Sequence, residues 1–121
     1  MLPKQNRLTR SRDFARARRF GRSSSCSLIA LYSFRTRSPE IRIGFSVSKR
    51  VGKATVRNLV KRRLREAARH HLGEIRPGQD FVVVARPAAA GAGLADLDAA
   101  LITLMKRVGA TRDAVPSGRN G

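Results

Sequence analysis

Residues 42–69, RIGFSVSKRVGKATVRNLVKRRLREAAR, decide the fold, because two different spacings of apolar residues meet in this stretch. From Ile41 to Ser48, apolar side chains alternate with polar or small ones, which is typical of a β-strand with one face in a core. From residue 55 to residue 71, apolar residues recur every three or four positions, which is typical of an amphipathic helix. A strand, a short loop and a helix are therefore predicted at the centre of the protein.

The predicted helix 55–71 has one packing side and one cationic side. At about 100° per residue, the packing side consists of Val56, Val60, Leu64, Ala67 and His71. The adjoining arc carries Arg69 and a set that we call the cationic ridge: Arg57, Asn58, Lys61, Arg62 and Arg65. Glu66 is the one acidic residue of this helix, so like charges on the ridge repel one another. A nucleic acid backbone would relieve this repulsion through counterion release, which favours a nucleic acid contact over a merely solvated helix face.

The sequence around this stretch predicts further elements. They are a helix that follows Ser11 and runs to about Phe20, a strand over 27–34, a buried strand over 81–85, a flexible connector over 88–93 and a helix over 94–108. Ser11 is expected to cap the first helix and Gly21 to end it. The strand 27–34 is apolar on both alternating sets, as a strand covered on both faces would be. The order of elements predicts one sheet layered with helices, in the α+β class, as a single domain over 1–109, followed by a disordered tail over 110–121.

The net charge predicts a polyanionic partner. The 121 residues include 26 Lys and Arg against 8 Asp and Glu, which gives a formal net charge of +18. Residues 1–71 hold 20 of these basic residues and 3 of the acidic ones, so the positive field belongs to the part of the chain that contains the ridge. A basic disordered tail is the alternative, but such tails rarely carry regular strand and helix periodicities.

Several features argue against a secreted or membrane-bound protein. The sequence has no run of about 18 apolar residues, and its first residues, MLPKQNRLTRSR, lack the apolar core of a secretory signal. Cys26 is the sole cysteine, which excludes an internal disulfide and a cysteine-based zinc site and fits a reducing compartment. We therefore expect a cytoplasmic protein with no membrane partner.

No catalytic residue and no metal site on the protein are predicted. The carboxylates are scattered singly except for Asp96 and Asp98, which diverge by about 200° on a helix and suit no two-metal centre. His70 and His71 are adjacent and lack the spacing of a helical metal-ligand pair. We interpret them as surface histidines near a helix end.

Other residues outside the helix are candidates for RNA contacts. Lys49, Arg50 and Lys53 add charge on a glycine-containing loop before the helix, where backbone N–H groups can also approach a phosphate. Phe14 and Tyr32 are candidates to stack on unpaired bases, with core packing as the alternative for each. The remaining aromatic residues of the strands are predicted to lie in the core, namely Phe34, Phe45 and Phe81.

The stretch 42–69 resembles the signature of the bacterial ribonuclease P protein subunit, in which a strand ending S-V-S-K precedes a helix bearing R-N-x-x-K-R-x-x-R. RDF near the start, IALY in the first strand and DFVVVARP after the helix follow in the family's order, so the resemblance covers roughly residues 7–108. It implies a single domain similar to a ribosomal protein S5 domain. It also implies a protein that joins a catalytic RNA to remove 5′ leaders from precursor tRNA.

The resemblance further implies roles for particular residues and partners. The RNA subunit performs the hydrolysis with Mg²⁺, so Mg²⁺ is implied for the holoenzyme and not for the protein, and no DNA partner is expected. The ridge faces the RNA subunit, and the leader lies in a central cleft to which we assign Phe14, Arg18, Tyr32 and Arg42. Arg18 stands where the family often has a second cleft aromatic. Leu59 stands where it often has an arginine, and Arg63 is expected to restore part of that charge.

Two other functions remain open on the residues alone. One is a ribosomal or chaperone-like protein that binds structured RNA without a nuclease role. The other is a protein-only nuclease, which would cleave RNA in the absence of any RNA subunit.

Overall fold

Residues 2–112, the part of the chain that this computed structural model describes, form helices and strands around one mixed sheet. The elements are α1 (Ser11–Phe20), β1 (Arg22–Ser25), β2 (Ile29–Arg35), β3 (Ile41–Ser46), α2 (Ala54–His71), β4 (Gln79–Ala85) and α3 (Leu94–Arg107). The strands lie in the order β1-β2-β4-β3. β2 pairs antiparallel with β1 and β4, whereas β3 pairs parallel with β4, so α2 forms the crossover between two parallel strands. The predicted α+β single-domain fold is confirmed.

One face of the sheet and the helices α2 and α3 enclose the main hydrophobic core. The sheet contributes Ile29 and Leu31 from β2 and Phe81 and Val83 from β4, all fully buried. The helices contribute Val60, Leu64, Ala67 and Ala68 from α2 and Leu97, Leu101, Leu104 and Met105 from α3. The predicted packing side of the second helix is therefore confirmed at its central positions, which leaves the ridge on the remaining side of α2.

The opposite face of the sheet is covered in part by α1. The strand register places three rows of side chains on this face: Phe34, Asp80 and Arg42; then Tyr32, Val82 and Gly44; then Ala30, Val84 and Ser46. Ala17 of α1 is fully buried in a second, smaller cluster with Leu8 and Val82. β2 is thus covered on both faces, as its apolar pattern predicted.

An ion-pair network attaches α1 to the sheet. Asp80, which is 1% exposed, accepts hydrogen bonds from Nε and Nη2 of Arg42 at 2.9 and 2.8 Å. Asp13 of α1 accepts from Nη2 of Arg16 at 3.0 Å and lies 3.7 Å from Nη1 of Arg42. The hydrogen bond to Asp80 raises the pKa of Arg42 even though partial burial opposes its charge. The forked guanidinium therefore neutralises a buried carboxylate and ties the first turn of α1 to β3 and β4.

The N-terminal segment runs along the outer edge of β3. Arg7 pairs with Ile43 in a parallel β-bridge, and the backbone N–H of Leu8 donates to the carbonyl of Ile43 at 3.0 Å. The side-chain amide of Asn6 donates to the carbonyl of Ile41 at 2.7 Å. This segment belongs to the fold, although its sequence shows no strand alternation that would predict it.

The predicted start of the first helix needs correction, whereas its predicted end at Gly21 is confirmed. Ser11 is the first helical residue, and the cap position belongs to Arg10, which makes no side-chain cap hydrogen bond. Gly21 follows the helix with an ordinary φ of −79°. A Cβ there would lie 2.5 Å from the carbonyl oxygens of Ala17 and Ser33, so glycine is required by close packing and not by a left-handed backbone.

Two further segments differ from the prediction. The sequence pattern does not predict β1, because residues 22–25 (RSSS) carry no apolar alternation and form a strand only by pairing with β2. The expected flexible connector contains a 3₁₀ turn, Pro87–Gly91, in which Ala89 is fully buried. None of the helices within 2–112 is long and apolar enough to cross a membrane.

The structured body extends past Gly109, where the sequence predicted its end. Ala110 and Thr111 are buried, Thr111 forms a β-bridge with Ile75, and the backbone N–H of Arg112 donates to the carbonyl of Glu74 at 2.7 Å. The predicted disordered tail is therefore wrong for residues 110–112. The rest of that prediction, over 113–121, lies outside the described residues.

The ion-pair network predicts that removing the charge of Asp80 lowers the free energy of unfolding by a measurable amount. Asp80→Asn keeps the side-chain size but weakens the hydrogen bonds to Arg42, so we expect the free energy of unfolding to fall by about 2 kcal/mol. Urea denaturation followed by circular dichroism measures the change. Glu66→Gln, which removes an exposed ion pair with Arg69, serves as the control and should cost clearly less. Equal losses for the two variants would show that the network is no stronger than a surface pair.

Candidate nucleic-acid interface

The cationic ridge is exposed and is not neutralised by the described chain. Asn58 and Arg62 are exposed, and the other three ridge residues are half-buried. Within residues 2–112, none of the four cations of the ridge forms an ion pair with an acidic side chain. Arg57 is held at the start of the ridge by donating from Nε to the carbonyl of Gly52 at 3.2 Å. The arrangement predicted from helical geometry is present, while its role remains a prediction.

Two other arginines of α2 do not extend the ridge. Arg69 was expected to bind RNA, but its Nη2 lies 2.6 Å from Oε2 of Glu66, and the hydrogen bond from Arg69 lowers the pKa of Glu66. Arg63 was expected to restore the charge missing at Leu59, but its Nη1 donates to the carbonyl of Ala92 at 2.6 Å. The charge of Arg69 is therefore offset by Glu66, and the side chain of Arg63 is directed toward the segment before α3.

The loop before α2 places its three cations in solvent. Lys49, Arg50 and Lys53 are exposed, and the side chain of Ser48 accepts a hydrogen bond from the backbone N–H of Arg50 at 3.3 Å. Gly52 has a φ of +153°, a backbone conformation that side chains disfavour. This glycine also supplies the carbonyl that holds Arg57, so the loop conformation and the start of the ridge are set together.

A pocket joins the ridge to the first helix. Its lining includes Lys61 and Arg65 from α2, Phe14 from α1, and Gly44 and Phe45 from β3. These residues are far apart in the sequence. The fold brings them together because α2 packs on one face of the sheet and Phe14 of α1 lies on the other face, against Gly44 of the edge strand β3. Two sites that were predicted separately, the ridge and Phe14, therefore share one surface.

Phe14 lies directly on the backbone of Gly44. A Cβ built on Gly44 would come within 2.2 Å of Cζ of Phe14, so the ring occupies the space that any other residue would need. Glycine on the polar face of β3 thus admits an aromatic side chain from the protein itself.

The remaining aromatic candidates are partly packed. Tyr32 is half-buried and carries the guanidinium of Arg18 over its ring, 5.6 Å from the centroid. Phe34, predicted in the core with Phe81, lies on the opposite face of the sheet under Arg16, 4.9 Å from the centroid. Arg18 and Tyr32 are brought together as expected for one cleft, but one face of the tyrosine ring is already covered.

Arg42, predicted to line the leader cleft, is paired with acids in the structure, and its contact with a leader remains a prediction. Its side chain is 29% exposed and is paired with Asp80 and Asp13. A guanidinium held by two carboxylates contributes little net positive charge to a leader contact. In the structure, Arg42 positions α1 beside the cleft.

A cluster of histidines and carboxylates ties the end of α2 to α3. His71 contacts Asp98 through Nε2 at 2.6 Å and Glu74 through Nδ1 at 2.7 Å, and Nδ1 of His70 lies 3.1 Å from Asp98. In the described part of the chain, no group of three or more His, Cys, Asp or Glu side chains could hold a metal ion. Sequence reasoning missed these contacts, because Asp98 is remote in sequence and no local pattern links it to the histidines.

The cluster shifts the pKa values of His71 and Asp98. Burial disfavours the charged form of His71, but hydrogen bonds with Asp98 and Glu74 outweigh it and raise the pKa of His71. Burial likewise opposes the charge of Asp98, yet hydrogen bonds with His71 and His70 lower the pKa of Asp98. The charged pair is therefore favoured by folding.

Comparison with known proteins identifies the family. A family model described as Ribonuclease P matches residues 2–109. The chain belongs to the ribonuclease P protein family. Ribonuclease P protein components from Arthrobacter sp. strain FB24 and Clostridium botulinum strain Langeland are 49% and 38% identical to it. The alignments cover 90% and 88% of this chain and 84% and 96% of those proteins.

Solved ribonuclease P proteins share the fold. The protein from Staphylococcus aureus superposes with a TM-score of 0.79 at 30% identity, over 86% of this chain and 95% of that one. The protein from Thermotoga maritima gives a TM-score of 0.76 at 30% identity, over 84% and 96%. These relationships confirm the function expected from the sequence, a protein component that assists the RNA subunit of ribonuclease P in tRNA 5′ processing. A ribosomal or other structured-RNA-binding role is not favoured.

The contact between Phe14 and Gly44 predicts the effect of one methyl group. Gly44→Ala forces the Phe14 ring to move, so we expect shifted Phe14 ring resonances by NMR and a loss of roughly 1–3 kcal/mol in unfolding free energy. Gly73→Ala is the matched control, because a Cβ at Gly73 meets nothing within 4 Å. Unmoved Phe14 resonances in Gly44→Ala would contradict the packing described above.

The histidine cluster predicts a pH-dependent stability. His71 stabilises the fold fully below its ordinary pKa of 6.5 and loses this contribution as the pH rises through its raised value. Asp98 contributes above its ordinary 3.8 and loses its contribution as the pH falls through its lowered value. Urea denaturation should therefore show that Asp98→Asn costs more near pH 5 than near about pH 8.5. A cost that is the same at both pH values would rule out the charged pair.

Proposed function

We propose that this chain binds the catalytic RNA of ribonuclease P through the cationic ridge and the 5′ leader of precursor tRNA through the adjoining cleft. The observation that carries the proposal is the ridge itself: four cations on one helix that no acid of the described chain neutralises, next to a pocket containing Phe14. The partners are these two RNAs, and the proposed location is the cytoplasm. Neither a DNA partner nor a membrane partner is proposed.

The geometry of α2 suits a phosphate backbone. Arg57, Lys61 and Arg65 follow one another at four-residue intervals, so they rise by about 6 Å from one to the next along the same side of the helix. Arginine forks and lysine ammonium groups both bind phosphate oxygens. Binding releases counterions from the RNA, so the association is salt-dependent and is strongest where the protein supplies unpaired cations.

The cleft positions the leader of the precursor tRNA and takes no part in cleaving the bond. Phe14 and Arg18 of α1 lie over β2, β3 and β4, where the ion-pair network fixes the helix. A leader held there keeps the scissile bond of the precursor near the RNA subunit, and such positioning lowers the entropic part of the barrier. Mg²⁺ held by the RNA subunit would supply the activation of the attacking water, and no residue of this chain is assigned to that step.

Substitutions on the ridge test the RNA contact. Arg57→Ala, Lys61→Ala and Arg65→Ala should each weaken binding to the catalytic RNA and lower the salt slope by about one ion, with little change in unfolding free energy. Arg69→Ala is the control on the same helix, and its effect on the slope should be smaller because Glu66 already offsets its charge. Filter binding at several salt concentrations measures both.

The triple ridge variant and a reconstituted reaction decide the proposal. Cleavage of precursor tRNA in Mg²⁺ should require the RNA subunit and should be impaired by the triple variant at subsaturating protein. Unchanged RNA affinity in the triple variant would overturn the ridge assignment. Cleavage by the protein without RNA would instead establish a protein-only nuclease.

A further inference from the structure

A second basic surface lies at the C-terminal end of α1, apart from the ridge. Two adjoining pockets share Phe34 and Arg35 in their linings. We call this surface the arginine groove and define it by Phe20, Arg22, Phe34, Arg35, Arg37 and Arg76. None of the ridge residues lines either pocket, so the groove is a separate feature of the molecule.

The groove is positively charged and its walls are fixed. Nη1 of Arg22 donates to the carbonyl of Val108 at 3.2 Å, and Nε of Arg76 donates to the carbonyl of Thr111 at 3.1 Å. These bonds orient the two guanidinium groups at the wall of the groove. Arg35, at the end of β2, is exposed.

Within residues 2–112, the acids near the groove contact groups other than Arg35 and Arg37. No carboxylate lines either pocket among residues 2–112. Asp13 and Asp80 engage Arg16 and Arg42 at the groove's inner side, and Glu40 stands at its rim, in contact with Ser38. Phosphate oxygens are the natural partner for the exposed guanidinium groups of Arg35 and Arg37.

Phe20 gives the groove an aromatic rim. It is 69% exposed, against 38% for Leu94, the other large apolar side chain that is exposed in the described structure. The guanidinium of Arg19 lies over one face of the ring, 5.4 Å from its centroid. A single exposed apolar residue is ordinary on a protein surface, but a flat ring beside several arginines matches the way single-stranded nucleic acid is held.

We propose that the arginine groove binds an unpaired segment of RNA, with a base stacked on Phe20 and the adjoining phosphate on Arg35. The inference rests on the proposed function in taking RNA as the ligand, and it adds a contact on a different side of the molecule from the ridge. An RNA bound at both the ridge and the arginine groove would contact the protein on two sides of α1.

The absence of tryptophan from the sequence allows a direct test of stacking. Phe20→Trp places a single indole at the rim, and titration with a single-stranded adenosine octaribonucleotide should quench its fluorescence as a base stacks on it. Leu94→Trp is the matched control, since Leu94 is the other exposed large apolar residue and begins α3, outside the groove. Quenching confined to Phe20→Trp supports the groove, whereas equal quenching or none overturns it.

Affinity measurements separate the groove from the proposed function. Phe20→Ala should weaken binding of the octaribonucleotide by about fivefold or more, and Arg35→Gln should lower its salt slope by about 0.7. Arg86→Gln, which removes an exposed arginine outside the groove, should lower the slope less than Arg35→Gln does. If Phe20→Ala bound the octaribonucleotide as tightly as the wild-type protein does, the groove alone would be refuted. If the wild-type protein bound neither the octaribonucleotide nor the catalytic RNA, the proposed function would be refuted as well.

Two further probes limit the ligand class. Adenosine monophosphate should bind much more weakly than the octaribonucleotide, because one nucleotide offers a single phosphate. A polyglutamate peptide should not quench the Phe20→Trp variant, because it has no base to stack. Tight binding of the mononucleotide, or quenching by the peptide, would overturn the assignment to an RNA strand.

Discussion

The paired charges of Arg42 and Asp80 are the interaction on which the rest of the surface depends. A carboxylate that is 1% exposed on the central strand β4 requires a cation, and the guanidinium that meets it also reaches Asp13 of α1. Helix α1 is short and has few apolar residues, so charge and a narrow hydrophobic seam hold it on the sheet. The cleft, the position of Phe14 and the groove beyond Phe34 all follow from where α1 lies.

The described chain neutralises its cations selectively. Arg16 and Arg42 are paired with acids beneath α1, and Arg69 is paired on α2. Arg57 and Arg63 donate to backbone carbonyls, which orients a guanidinium without removing its charge. The ridge therefore keeps its charge, whereas the charges of the arginines beneath α1 are offset by acids of the fold. A net charge of +18 is tolerable because RNA completes the electrostatics.

Local periodicity was sufficient to predict the helices and three of the four strands, and helical geometry alone was sufficient to predict the ridge. It could not find β1, because serines have no pattern of their own and are paired by β2. It also did not anticipate the partners of Arg42 and Arg69 or the face of the sheet on which Phe34 lies. The contacts of Arg42 with Asp80 and of Phe34 with α1 are tertiary, so no local pattern reveals them. The contact of Arg69 with Glu66 is local, but the sequence alone does not choose between this ion pair and an exposed cation. The contact between Phe14 and Gly44 likewise depends on how α1 crosses the sheet.

The N-terminal segment along β3 has a consequence for self-association. An open sheet edge offers unpaired backbone groups that can recruit a strand from another molecule. Here the carbonyls of Ile41 and Ile43 are already satisfied by Asn6 and Leu8 of the same chain, and the opposite edge is a four-residue polar strand. Strand exchange between copies would first have to displace the N-terminal segment from β3, so this segment protects the edge of the sheet from pairing with another chain.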